Sequence, residues 1–129
     1  ARESLPERLR AVHDGIAELI KRHRPDILSV EGVFYGRNVR STIVLSHARG
    51  VILLAAATAG LPVAEYSPAV VKRTVVGRGG AAKGQVGYMV AQLLRLTRAP
   101  SPADAADAVA IALTHLLKRA PAAARPAAR

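Results

Sequence analysis

Asp26-Ile27-Leu28-Ser29-Val30-Glu31 decides how the rest of this 129-residue chain is read. The run is short, apolar and partly β-branched, and it follows Arg24-Pro25, a pair that ends a helix. It reads as a β-strand. Its apolar residues fall on both faces, as in a central strand of a parallel sheet. Such a strand needs a neighbour on each edge. Leu61 to Tyr66, LPVAEY, supplies one, and no third candidate follows residue 31. The expectation is that the remaining strands precede Ala1.

Working outward, Ser4 to His23 has Leu5, Leu9, Val12, Ile16 and Leu19 at helical spacing, behind a Ser4/Glu7 capping box with Pro6 in the first turn. Gly32 to Arg37 is a loop. Asn38 to Ala59 reads as a second helix, apolar nearly all round in its later half. Its Gly50 implies close approach of another backbone, since glycine in a helix costs about 1 kcal/mol relative to alanine. Ser67-Pro68 opens a third helix through Val76, and Gly77 to Gly80 is a glycine-rich basic loop. Ala81 to Leu96 is a fourth helix with Val86, Met89, Val90, Leu93 and Leu94 inward. Pro102 to Arg119 is a fifth, after a turn at Ala99 to Ser101. A strand, a helix and a second strand argue a right-handed parallel unit, hence an α/β fold. One domain is expected over residues 1–119, with a disordered Ala/Pro/Arg tail over 120–129.

Cysteine is absent, which excludes disulfides and thiolate metal sites and fits a reducing, cytoplasmic compartment. The longest apolar run, Val51 to Ala64, is shorter than the roughly 20 residues of a membrane span, so a buried helix is expected and no membrane partner. Net charge is +10 and unevenly spread. Residues 1–30 hold six basic and five acidic residues, whereas 31–129 hold thirteen basic and four acidic, namely Glu31, Glu65, Asp104 and Asp107. From Glu65 to Asp104 the charged residues are Lys72, Arg73, Arg78, Lys83, Arg95 and Arg98, all basic. A one-signed stretch of this kind attracts polyanions; solubility alone is the other reading.

Three segments carry candidate chemistry. In SVEGVFYGRNVR, Glu31 stands at the carboxyl end of a strand, where α/β sheets bind ligands. It is a metal ligand or a solvated strand-end carboxylate. Phe34 and Tyr35 sit in a loop with Arg37, Asn38 and Arg40, which suits base stacking and phosphate contact; core packing of Phe34 is the alternative. In SPADAADAVAIALTH, Asp104 and Asp107 share one helix face and repel unless a cation lies between them. Oxygen donors suit Mg²⁺. Asp104 could instead complete a capping box with Ser101. His115 on the same helix reads as a supporting residue. In VVKRTVVGRGGAAKGQV, Ala82 and Gly84 flank Lys83 where an ATP-binding loop needs Gly and Ser or Thr, so phosphate contact with DNA by Lys72, Arg73, Arg78 and Lys83 is the better use.

Together these segments resemble the RuvC family of Holliday junction resolvases, over roughly residues 4–117. SLPERL resembles the start of that family's first helix. SVEGVF resembles the strand with a catalytic Glu and a junction-contacting Phe. EYSPAVVKRTVVGRGGAAKGQVGYMV resembles the central segment with two functional lysines, and DAADAVAIALTH the last helix with two acids. The resemblance implies an RNase H-like fold, here two parallel strands and about five helices. It implies catalytic roles for Glu31, Asp104, Asp107, Lys72 and Lys83, with Mg²⁺, two ions per site, on the three carboxylates. It also implies a homodimer that nicks four-way junctions symmetrically, with RuvA and RuvB as partners. The family's Gly-Ile-Asp-Pro-Gly-like strand, which carries a first catalytic Asp, has no counterpart in these residues, so the fragment alone is expected to be inactive. A non-catalytic junction-binding module and an RNA-cleaving relative are the rival readings. The carboxylates disfavour the first and the lysine segment the second.

Overall fold

Local signals place the helix starts. The computed structural model describes residues 2–32, 38–77 and 83–124. Helix α1 is Leu5–His23. The Ser4 hydroxyl accepts from the Glu7 backbone N–H at 3.4 Å, and the Glu7 carboxylate accepts from the Ser4 N–H at 2.7 Å. That reciprocal pair satisfies two of the otherwise unpaired N–H groups of the helix start. Asn38 opens α2, Val39–Thr58, by accepting from Ser41 N–H at 3.2 Å. Ser67 opens α3, Pro68–Val76, by accepting from Val70 N–H at 3.2 Å. Gly77 closes α3 in the left-handed region at φ 98°, a conformation that a residue without Cβ adopts freely.

Two short strands run between the helices: β1, Leu28–Glu31, and β2, Val63–Tyr66. Leu28 N–H donates to Pro62 at 2.9 Å and Gly32 N–H to Tyr66 at 2.8 Å. The constant offset makes the pair parallel, and among the described residues the sheet has these two strands. Each strand starts later than Asp26 and Leu61, the starts expected from sequence. β1 is half-buried rather than enclosed on both faces. The last two helices are α4, Lys83–Leu94, and α5, Ala103–Ala124. Helix α5 thus passes the end expected at Arg119 and takes in residues assigned to a disordered tail. Four of the five added residues are alanines, the best helix formers, and the helix runs on through Pro121, the poorest. Residues 125–129 lie outside the described residues.

By its packing the chain forms two compact units, residues 1–28 with 33–64 and residues 29–32 with 65–129. In the first, α1 lies along α2. The stripe of α1 ends on half-buried Ile20, whereas Leu19, expected inward, is 48 % exposed. Helix α2 departs further from expectation. Its only buried residues are Ala55 and Ala56, and Val39, Ile43, Leu45 and Leu54 are exposed. It is therefore not the buried helix that its composition suggested. Apolar side chains point in every direction, and one subunit covers only one stripe of them. Taken whole, its 20 residues have the length and hydropathy of a membrane span, which the shorter run from Val51 did not. A Cβ at Gly50 would meet nothing within 4 Å among the described residues, so the close approach expected there is not seen among them.

In the second unit α3, α4 and α5 pack on one another around Val71, Val75, Val86, Val90, Ala110 and Leu113, with Tyr66 and Met89 at the edge. Val90 is fully enclosed. The close contact is at Gly87, where an added Cβ would stand 3.3 Å from Ala99 Cβ and 3.9 Å from Ala106 Cβ. Leu93 and Leu94, expected inward, are more than two-fifths exposed, because they lie in the last turn of α4 beyond that core.

Candidate active site

The site forms where β1 ends against α5. Ser29 Oγ donates to the Ile111 carbonyl at 2.9 Å, which anchors the strand to the helix. Side chains alternate along a strand, so Glu31 leaves the same face of β1 as Ser29. Asp107 precedes Ile111 by one turn of α5 and shares its face. Glu31 lies about 6.6 Å beyond the anchor along the strand and Asp107 about 6 Å from it along the helix. The two carboxylates, distant in sequence, are thereby brought to one place.

Their proximity is visible in the electrostatics of Glu31. Desolvation by partial burial pushes its carboxyl above the ordinary range, the negative charge of Asp107 pushes the same way, and the Lys72 ammonium opposes both. Glu31 is exposed at the strand end, yet its carboxyl feels both neighbours. Lys72 is half-buried on α3, the helix that Ser67 starts directly after β2. The second unit therefore collects Glu31, Asp107 and Lys72.

The other expected residues fall less neatly. Asp104 is exposed in the first turn of α5, where the helix dipole favours a carboxylate. Because α5 starts at Ala103, Ser101 stands one residue too early to cap it, and the expected capping box is not formed. Among the described residues no three acidic, histidine or cysteine side chains lie together as metal ligands, so Asp104 does not join Glu31 and Asp107 in one cluster. The pair alone still suits a hard divalent cation. It offers oxygen donors, its like charges and partial desolvation favour a cation between them, and Mg²⁺ characteristically takes one or two carboxylates and keeps water in its remaining positions.

Of the expected DNA-contacting residues, Arg73 is exposed on α3. Asn38 and Arg40 are exposed at the start of α2, where the Asn38 carbonyl oxygen is engaged as the helix cap. Lys83 is the first residue of α4. Phe34, Tyr35, Arg37 and Arg78 lie outside the described residues. A concavity of about 500 Å³ opens in the first unit between Arg24, Pro25, Gly60 and Leu61. It contains none of the residues singled out from sequence.

Two contributors escaped sequence reasoning. One is Ser29, which anchors β1. The other is Tyr66, whose hydroxyl lies 2.7 Å from His115 Nδ1. The signal for Ser29 was its alternation with Glu31, and for Tyr66 its place at the end of the neighbouring strand.

Comparison with known proteins places this arrangement. The family model described as "Crossover junction endodeoxyribonuclease RuvC" matches residues 1–115. The chain belongs to the RuvC family. It is 50 % identical over 109 residues to the crossover junction endodeoxyribonuclease RuvC of Pelotomaculum thermopropionicum, covering 84 % of this chain and 66 % of that protein. To the protein of the same name from Halorhodospira halophila it is 54 % identical over 111 residues, covering 86 % of this chain and 66 % of that one. The chain thus spans just under two thirds of the length of these relatives. Thermus thermophilus RuvC superposes with a TM-score of 0.84 at 40 % identity, over 94 % of this chain and 72 % of that one. The structure of T. thermophilus RuvC in complex with Holliday junction substrate gives a TM-score of 0.87 at 39 % identity, over 93 % and 73 %. The fold is accordingly α/β and RNase H-like, with two parallel strands and five helices among the described residues.

Proposed function

We propose that this chain is the greater part of a Mg²⁺-dependent endodeoxyribonuclease that nicks Holliday junctions symmetrically during DNA recombination and repair. The observation that carries the reading is the Glu31–Asp107 pair beside Lys72 at a strand's carboxyl end. Support comes from a RuvC-family chain whose relative from T. thermophilus was solved with Holliday junction substrate. The reaction is hydrolysis of one phosphodiester bond. A water oxygen bonds to phosphorus, the bond from phosphorus to one ester oxygen breaks, and the departing oxygen ends protonated. Bound Mg²⁺, two ions in this reading, supplies Lewis acidity and a more nucleophilic water. Glu31 and Asp107 are the residues that would hold it, with Asp104 at the same end of α5. Lys72 would offset negative charge gathering on the phosphoryl oxygens, a task it shares with Lys83. Arg73, Arg78, Arg37, Arg40 and Asn38 would meet backbone phosphates, and Phe34 and Tyr35 unstacked bases.

The exposed apolar face of α2 is assigned to a two-fold homodimer, which would set two sites symmetrically on a four-way junction. A bilayer is the poorer occupant, because Arg49 lies midway along α2 and a central arginine costs about 2.5–3.5 kcal/mol or more in a membrane. RuvA and RuvB as partners and a cytoplasmic location complete the proposal. The rival, a module that binds junctions without cutting them, gives no reason for a strained carboxylate pair. The test is a nicking assay with a gel shift on the same junction. Glu31→Gln and Asp107→Asn should each abolish cleavage and leave binding in place; full cleavage by either variant refutes the assignment.

A further inference from the structure

Among the described residues, hydrogen bonds from Ser29 and Tyr66, besides apolar packing, join α5 to the strands in the second unit. Ser29 Oγ donates to Ile111 O at 2.9 Å, and Tyr66 Oη lies 2.7 Å from His115 Nδ1. Asp107, Ile111 and His115 succeed one another at intervals of one turn, so both bonds act on the helix face that carries Asp107. On the sheet side, the Gly32 N–H to Tyr66 O bond puts Tyr66 next to Glu31 across the ladder. Neighbours in a parallel pair project to the same face, so Ser29, Glu31 and Tyr66 all look toward α5. The rings of Tyr66 and His115 lie 6.0 Å apart and tilted, so the contact is a directed hydrogen bond rather than a stack. A helix held only by Val, Ala and Leu contacts can slide or turn slightly without losing burial. Two directional bonds at successive turns remove that freedom.

We propose that Ser29 and the Tyr66–His115 pair are positioning residues that fix the height and rotation of α5, so that Asp107 faces Glu31 as a ready-made cation site. The proposal rests on the function given above, because it takes the carboxylate pair to be the metal-holding element. The three side chains act by holding the two elements from which the carboxylates project. Partners of this kind characteristically change metal affinity by about 10- to 100-fold when removed.

The test reads Mn²⁺ binding to the full protein without DNA, by the loss of the free Mn²⁺ electron paramagnetic resonance signal. Melting temperature, junction affinity in EDTA and kcat for nicking are measured beside it. Ser29→Ala and Tyr66→Phe each delete one hydroxyl and should weaken Mn²⁺ binding roughly tenfold. They should lower kcat and leave junction affinity in EDTA unchanged. His115→Leu should match Tyr66→Phe, whereas His115→Asn keeps a polar atom near the Nδ1 position and should restore Mn²⁺ binding. If the variants melt lower yet bind Mn²⁺ as the parent does while folded, the bonds are only structural and the proposal falls. A His115→Asn protein as weak as His115→Leu would assign the role to the imidazole itself and overturn the hydrogen-bond account. Glu31→Gln separates the two levels. If it abolishes Mn²⁺ binding while Ser29→Ala and Tyr66→Phe do not change it, positioning alone fails. If it too leaves Mn²⁺ binding unchanged, the metal-holding pair fails and the positioning proposal with it.

Discussion

Replacing Glu31 by Gln should uncouple cleavage from binding, in a direction that a general loss of structure cannot imitate. Glu31 interacts with both Asp107 and Lys72. Removing its charge deletes half of the carboxylate pair, and a cation's contribution to such chemistry is worth several kcal/mol, so cleavage should fall by about 10²–10³ or more. The same change frees Lys72, whose ammonium is partly offset by Glu31 in the parent. A lysine released to a phosphate adds up to about 0.9 to the slope of log affinity against log salt. Between 50 and 200 mM salt, a fourfold change, that slope corresponds to about a 3.5-fold change in affinity. Glu31→Gln should therefore bind a four-way junction more tightly than the parent at 50 mM KCl in EDTA. Its advantage should shrink by up to about 3.5-fold at 200 mM. Fluorescence anisotropy over a salt series measures the slope, and a nicking assay with Mg²⁺ measures cleavage. A variant with the parental slope and parental cleavage would refute both the pairing with Lys72 and the metal role.

Glu31 holds its proton more tightly folded than unfolded, so its contribution is most favourable below the unfolded pKa of about 4.3 and is lost as pH rises through the folded value. Glu31→Gln should then melt above the parent at pH 7–8, with the gap closing near pH 4; a parent that melts higher than the variant at pH 8 would contradict this. Arg73 is exposed and forms no salt bridge among the described residues, so Arg73→Ala should lower the salt slope by about 0.9, and an unchanged slope would remove α3 from the DNA surface. On α2, Leu54 is an outward probe, 58 % exposed. Leu54→Glu should convert a dimer to folded monomers by analytical ultracentrifugation, and a parent that is monomeric at tens of micromolar would refute the symmetric arrangement.

What was legible in the sequence was what is decided locally. Ser4, Asn38 and Ser67 cap helices because their side-chain oxygens reach N–H groups three residues on, and no distant contact is needed. Element order and the parallel pairing followed from pattern alone. The errors arose where tertiary packing decides. Leu93 and Leu94 have the right spacing to be inward but lie at the end of α4 beyond the packed core, and on α1 the half-buried position falls to Ile20 rather than Leu19. Gly50 suggested a close approach that occurs instead at Gly87, because a glycine does not announce which neighbour it admits. In the site, residue type was enough to single out Glu31, Asp107 and Lys72. That Asp107 acts on Glu31 depends on the rotation of α5, a helix that residues 29 and 66 contact from distant strands.

The energetics of the pair argue for a use rather than a structural duty. A strand-end position exposed to solvent can be filled by Gln or Ser without cost, and a structural ion pair would place Lys72 against one acid, lowering that acid's proton affinity. Here the balance at Glu31 goes the other way: desolvation and the Asp107 charge outweigh the lysine. Two acids are thus kept together in a unit otherwise rich in Lys and Arg, where either could have been relieved by a small sequence change. Removing a like charge from such a site should stabilise the fold and destroy what the site does, the trade expected where a preorganised charge arrangement serves function. Lys72 does not abolish the strain, and a divalent cation between the two carboxylates would. Desolvation first, and the residual repulsion from Asp107 second, are therefore the physical reasons to expect the cation.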